Sequence, residues 1–181
     1  MIHHLKNASN GEPAHYSTTV EILQNGDILT FKFVAESSTY YCPYRNQYNA
    51  AHYEGDVCEV FIGTDPEKNV YYEVEITPYN DLFLSKITYK GTDENNNPVL
   101  EWDFVEDSFV ESSATLTDTG YIAEFSFDKN KVLTGDGEMF FNAYRLETDG
   151  ERMEKYMFSL SPTMRSKFHV PDYYVSLKDY L

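Results

Sequence analysis

Apolar and polar positions alternate along most of this chain with a period of two, the repeat of a β-strand that buries one face. The pattern predicts strands over residues 18–23 and 28–34, joined by Asn25-Gly26-Asp27, a strong hairpin signature. Further strands are predicted over 57–63, 70–77, 82–89, 100–105, 109–116, 121–127, 139–147 and 156–161, with a last one near 173–177. Polar or proline-bearing stretches lie between them, such as Thr64-Asp65-Pro66-Glu67-Lys68-Asn69, Pro78-Tyr79-Asn80-Asp81 and GTDENNNP over 91–98. An irregular, tyrosine-rich stretch covers 40–53. No window carries a sustained 3.6-residue apolar period. Many short strands without helices between them predict an all-β protein, an antiparallel, jelly-roll-like β-sandwich. Neither repeat nor linker divides it, so a single domain is expected over 1–181, with its core at about 17–178.

The segment YEGDVCEVFI, starting at Tyr53, sets a puzzle within this pattern. Alternation puts Asp56, Cys58, Val60 and Ile62 on one face, and Val57, Glu59 and Phe61 on the other. The face of Cys58, Val60 and Ile62 is expected to meet the core. Glu59 then stands beside Val57 and Phe61 on the opposite side, with Tyr53 at the rim. Asp56, at the strand entry, is expected to accept backbone N–H bonds from the turn at 53–55.

Composition narrows the partners. Lys plus Arg number 14 against 30 Asp plus Glu, a net charge of −16, so nucleic acid and anionic membrane surfaces would be repelled. Neutral ligands and cations remain. The 181 residues include 16 Tyr and 12 Phe but one Trp, and an excess of Tyr suits a recognition surface. No apolar run reaches the roughly 18 residues that cross a bilayer, so no membrane insertion is expected. The start, MIHHLKNASNGEP, has no apolar signal-like segment. The compartment stays open: secreted or periplasmic if a signal was removed, cytoplasmic otherwise. Cys42 and Cys58 fit no metal spacing and read as buried thiols in preference to a disulfide. The oxygen-rich loops at Asp65-Pro66-Glu67 and Asp93-Glu94-Asn95 allow a structural calcium ion, but neither matches a known calcium-loop spacing.

YEGDVCEVFIGTDPEKNVYYEVEITPYNDLFLSKI resembles a segment shared by family 9 carbohydrate-binding modules and their relatives: an Asp, a hydrophobic position, a Glu and Val-Phe-Ile, then a tyrosine-rich strand and an Asn-bearing turn. Three later pieces follow in the family's order: Gly120-Tyr121-Ile122-Ala123-Glu124-Phe125, then Phe141-Asn142-Ala143-Tyr144-Arg145, then Ser161-Pro162-Thr163 with Phe168-His169-Val170-Pro171. The resemblance implies a jelly-roll-like sandwich that binds an oligo- or polysaccharide without cleaving it. It further implies Tyr53 as a stacking ring, Glu59 as the principal acceptor for sugar hydroxyls, and Asn80, Asn142 and Arg145 as further polar contacts. Such modules clamp a sugar between two Trp rings. Here the first clamp position is Tyr53, the second falls near Leu160, and Trp102 lies elsewhere in the sequence, so the expected clamp is incomplete.

Asn142 and Arg145, three apart on a strand, face opposite sides, so only one can line the same cleft. Glu73 and Glu75 share one face and could mimic a glycosidase pair, but on a surface strand of an acidic protein they are expected to be ordinary solvated groups. No catalytic motif is present, and no enzyme is expected. Haem-carrying domains of related sandwich folds hold iron between a Met and a His. His52, His169, Met157 and Met164 are the candidates for that alternative, and a scaffold that has lost sugar binding is the other. His169 is otherwise expected to fix a corner by bonding the preceding turn. No cofactor is otherwise expected, and the oligomeric state is left open.

Overall fold

In the computed structural model, residues 1–149 and 154–181 are described. Among the described residues, thirteen strands form two antiparallel sheets. The first sheet is built from β1 (Ile2–His4), β3 (Thr18–Asn25), β4 (Ile28–Glu36), β10 (Gly120–Asp128) and β9 (Glu111–Thr117), in that order. The second runs β2 (Lys6–Asn7), β12 (Glu154–Ser159), β11 (Phe140–Asp149), β5 (Val57–Gly63), β6 (Val70–Ile76), β7 (Leu82–Thr92) and β8 (Pro98–Phe104), with β13 (Val175–Ser176) also pairing β11. Among the described residues the only helical pieces are four short 3₁₀ turns. The sandwich expected from the alternation is the fold observed.

The hairpin β3–β4 turns on Gly26, whose φ of 62° lies in the left-handed region, with Asn25 paired to Ile28. Between the sheets, Val20, Ile22, Phe31, Phe33, Phe125 and Phe127 of the first meet Cys58, Val60, Ile62, Val74, Ile76, Phe141 and Phe158 of the second. Cys58 therefore faces the core as expected, and both cysteines are free thiols. The first sheet leaves its other face to water, and β4 alternates buried with exposed or half-exposed residues.

The second sheet is different. Every residue of β5 is buried, because chain segments also cover the sheet's outer face. There Val57, Phe61, Tyr71, Ile87, Phe140, Tyr144, Phe168 and Tyr174 make a second apolar cluster. Glu59 is on this outer face, where it pairs in register with Tyr144 of β11 and Glu75 of β6.

The stretch at 40–53 packs tightly against the entry of β5. Asp56 does not serve the turn before it. Its two carboxylate oxygens accept N–H bonds from Tyr41, at 2.8 Å, and Thr148, at 2.6 Å, so it ties this stretch to β11. The oxygen-rich loops spend their carboxylates in the same way. Asp65 accepts from the N–H groups of Asn69 and Val70, and Asp93 from those of Asn95 and Asn97.

Candidate functional site

The covered outer face holds a cavity of about 390 Å³. Its floor is Phe61, Glu59 and Glu73; its sides include Tyr53, Leu100, Trp102, Lys155, Met157 and His169. Alternation explains the floor: Glu59 and Phe61 are two apart on β5, and Glu73 lies opposite Phe61 on β6. Tyr53 comes from the 3₁₀ turn His52–Glu54 just before β5 and is 45% exposed. Trp102 reaches the same space from β8, where its ring meets Phe83 edge-on at 5.8 Å and stands edge-on to His169 at 5.7 Å. An adjoining depression of about 340 Å³, beside Asn49, Phe83 and Phe104, shares Tyr53 and Trp102 as walls.

His169 is held in place by packing. It stacks on Phe61 at 4.7 Å and 21°, and its Nδ1 is 2.7 Å from the hydroxyl of Tyr71. It does not fix the preceding turn through the backbone, as its place in the sequence suggested, but lines the cavity. Burial lowers its pKa to about 3, so the ring is neutral.

Three carboxylates meet at the base. Glu59, Glu73 and Glu75 are 1%, 2% and 0% exposed. Burial holds all three well above the usual carboxylate range. Repulsion raises each further, Glu75 acting on Glu59, Glu59 on Glu73 and Glu73 on Glu75, while Lys155 lowers Glu59, contact with Glu75 lowers Glu73 and the Tyr53 backbone lowers Glu75. Glu73 and Glu75 are thus not solvated surface groups. β6 is a central strand whose outer face is roofed, and the roof takes their water away.

Of the five residues the resemblance marked, Tyr53 and Glu59 come together in the cavity. The other three do not line it. Asn80 is exposed in the turn after β6, with φ of 66° and its N–H bonded to the carbonyl of Thr77. Asn142 shares the outer face but is spent on the backbone. It donates to the carbonyl of Ser161 and accepts from the N–H groups of Ala143 and Ser161. Arg145 faces the other way, as the spacing required, and lies fully buried between the sheets. It donates to Thr18 Oγ1 at 2.7 Å, to the carbonyl of Glu36 at 2.6 Å and to the carboxylate of Glu147. Glu59 has no pairing with it.

Residues 6–178 match the sequence model of the family described as "Carbohydrate family 9 binding domain-like". The chain belongs to that family.

Solved structures agree on the fold. A protein from Bacteroides uniformis ATCC 8492, named as a candidate carbohydrate-binding protein, is 14% identical with a TM-score of 0.69, covering 96% of this chain and 84% of its own. A family 9 carbohydrate-binding module from Caldicellulosiruptor kristjanssonii, solved with glucose, is 12% identical with a TM-score of 0.57, covering 96% and 82%. A module of the same family and organism, solved with cellotriose, is 11% identical with a TM-score of 0.55, covering 90% and 73%. Among curated proteins, nothing matches this sequence.

In this family 9-like domain the second aromatic wall is not where the linear motif put it. Leu160 turns into the core between the sheets, and the positions of β12 that look into the cavity are Lys155 and Met157. Trp102 supplies the aromatic wall instead, from a strand that lies far from the motif in sequence. Of the four candidate haem ligands, Met157 and His169 line the cavity together. His52 sits elsewhere, its Nε2 2.9 Å from the carbonyl of Gln47, and Met164 is exposed beside Gly11.

Proposed function

We propose that this domain is a non-catalytic glycan-binding module that seats a sugar ring between Tyr53 and Trp102, above Glu59. The observation that carries the reading is the meeting of two aromatic rings, one from the 3₁₀ turn before β5 and one from β8, over a carboxylate floor. Aromatic faces take the C–H side of a pyranose, and a carboxylate takes paired hydroxyls. The cavity falls within the usual ~300–1,000 Å³ of small-ligand sites. Because both rings also border the adjoining depression, a second sugar of a chain has a place on their far side. Family membership and the two solved complexes, with glucose and cellotriose, support a search that begins with glucose and cello-oligosaccharides.

The test is a glycan array followed by calorimetry on wild type, Tyr53→Ala, Trp102→Ala and Glu59→Gln. Losing one charge-assisted hydrogen bond costs about 1.5–3 kcal/mol, so Glu59→Gln should weaken binding at least about tenfold. In chelator-stripped protein its melting temperature should not fall, since the change removes one of three crowded buried acids. Equal affinity in the two ring variants would remove the cavity from consideration. An array without hits would favour a scaffold that has lost sugar binding. Release of reducing sugar from a bound glycan would make the protein an enzyme. A Soret band in the purified protein would instead give Met157 and His169 to haem.

A further inference from the structure

Glu59 stands opposite Glu75 across β5 and β6, and Glu73 lies two residues back on the same face. One carboxylate oxygen from each falls within 4.8 Å of one from each of the others. Four buried oxygens here have no hydrogen-bond partner among the described residues: Oε1 of Glu59, Oε2 of Glu73 and both of Glu75. That is not how the chain treats its other buried acids. Both oxygens of Asp56 accept N–H bonds, and Glu147 is bonded by Arg145 and Ser37. A buried carboxylate without a partner is heavily penalised, and three at one spot repel each other as well.

The neighbours fill these oxygens poorly: Glu73 and Glu75 lie close enough to share a proton and the Tyr53 N–H lies near Glu75, but neither makes a hydrogen bond of ordinary geometry to the four oxygens. Lys155, the one described cation on the cavity wall, donates to the backbone carbonyl of Tyr53 at 3.3 Å. The Nε2 of His169 stays 3.8 Å from Glu73 Oε2, beyond hydrogen-bond reach. The Tyr71 hydroxyl is engaged with the other nitrogen of His169.

We propose that Glu59, Glu73 and Glu75 hold a divalent cation of the calcium type at the base of the cavity, with its remaining positions open to water or ligand hydroxyls. The spacing admits a shared ion: one oxygen from each carboxylate lies within 4.8 Å of the others, so a single cation with metal–oxygen bonds of about 2.4 Å reaches all three. Magnesium demands near-ideal octahedral geometry and gives up its water reluctantly, which a buried all-carboxylate set serves poorly. An all-carboxylate set is hard and carries three negative charges, which suits calcium over metals that prefer imidazole or thiolate. Three carboxylates offer up to six oxygens, short of or equal to the six to eight that calcium takes. The site is separate from the loops at Asp65 and Asp93, whose carboxylates already serve their own backbones.

The experiment uses chelator-stripped protein with no sugar present, so it stands apart from the glycan reading. Calcium should raise the melting temperature in a saturable way, by roughly 5–10 °C at a hundredfold excess over Kd, and should bind more tightly than magnesium. Terbium, a calcium substitute, should show luminescence sensitised by the surrounding aromatic rings. Glu75→Gln, a near-isosteric change, should lower calcium affinity at least about tenfold while keeping the wild-type circular dichroism spectrum. Glu67→Gln and Asp93→Asn should bind calcium as wild type does. Should Glu75→Gln fail to fold, Glu59→Gln carries the same expectation. No saturable calcium effect on the wild type, unchanged affinity in the folded Glu-to-Gln variant, or loss of binding in the loop variants would each overturn the proposal.

Discussion

Replacing Arg145 with methionine should unfold the domain far more readily while leaving the cavity's ligand affinity within about twofold. The guanidinium comes from β11 but bonds across the sandwich to Thr18 of β3 and to the backbone of Glu36 on β4, and it pairs with Glu147, 1% exposed. Its Cζ also lies 5.4 Å from the ring of Tyr121. Removing one partner of a buried ion pair typically costs about 3–5 kcal/mol, because the other charge is left buried alone. For a chain of this length, about 1 kcal/mol moves the melting point by roughly 2–4 °C, so the loss should be about 6–20 °C. The pH dependence carries the mechanism. Burial already lifts the Glu147 carboxyl to about 7 even though Arg145 pulls it down, so without Arg145 it is protonated further into the neutral range. The folded variant then keeps a proton that the unfolded chain releases, and its stability falls as pH rises from the ordinary carboxylate range. The deficit relative to wild type should be larger at pH 8 than at pH 5.5. Urea denaturation at both pH values measures this, and Arg145→Met with Glu147→Met should recover much of the loss. A deficit under 1 kcal/mol at pH 8, or no recovery in the double variant, would refute the role given to the pair.

Both thiols should resist alkylation in the native protein, since burial pushes Cys42 and Cys58 up to about 12, and both should react in urea; rapid native labelling of Cys58 would show that it does not face the core. Gly55→Ala should cost about 1–3 kcal/mol in urea denaturation, because a Cβ there would lie 2.2 Å from the Tyr41 carbonyl oxygen and 2.8 Å from Pro43 Cδ; an unchanged midpoint would mean that the segment at 40–53 yields easily. Chelator-stripped protein should melt at higher temperature at pH 5 than at pH 8. The three raised carboxyls keep protons that the unfolded chain gives up, and Glu75→Gln should flatten the difference; a wild-type melting point higher at pH 8 would contradict the burial of the trio.

Alternation was enough to place Cys58 toward the core and Glu59 away from it, because it is a property of one strand and its neighbours in sequence. What it could not supply is register between strands. Glu59, Glu73 and Glu75 meet only because β5 pairs β6 in one particular alignment, and Trp102 arrives only because β8 closes the same side. The motif around Asn142 and Arg145 was readable as a strand, yet their partners, Ser161, Thr18 and Glu36, come from distant segments. The linear motif points to Leu160, yet one residue of offset separates a core position from a cavity position on a strand. The strands Ile2–His4 and Lys6–Asn7 went unseen because two or three residues show no period. The expected loop at 91–98 began late, since β7 runs on through Gly91 and Thr92.

The double burial of β5 and its neighbour β6 has a consequence for how the sheet assembles. A slip of one residue in β6 would carry Glu73 and Glu75 to the side of Val74 and Ile76, among the phenylalanines that fill the sandwich, and would turn those two aliphatic residues out. Few errors of pairing could be less tolerable. The buried acids of β6 therefore also act as a checksum on the central strands: a chain that zips in the wrong alignment has nowhere to hide its charge, and must let go and try again.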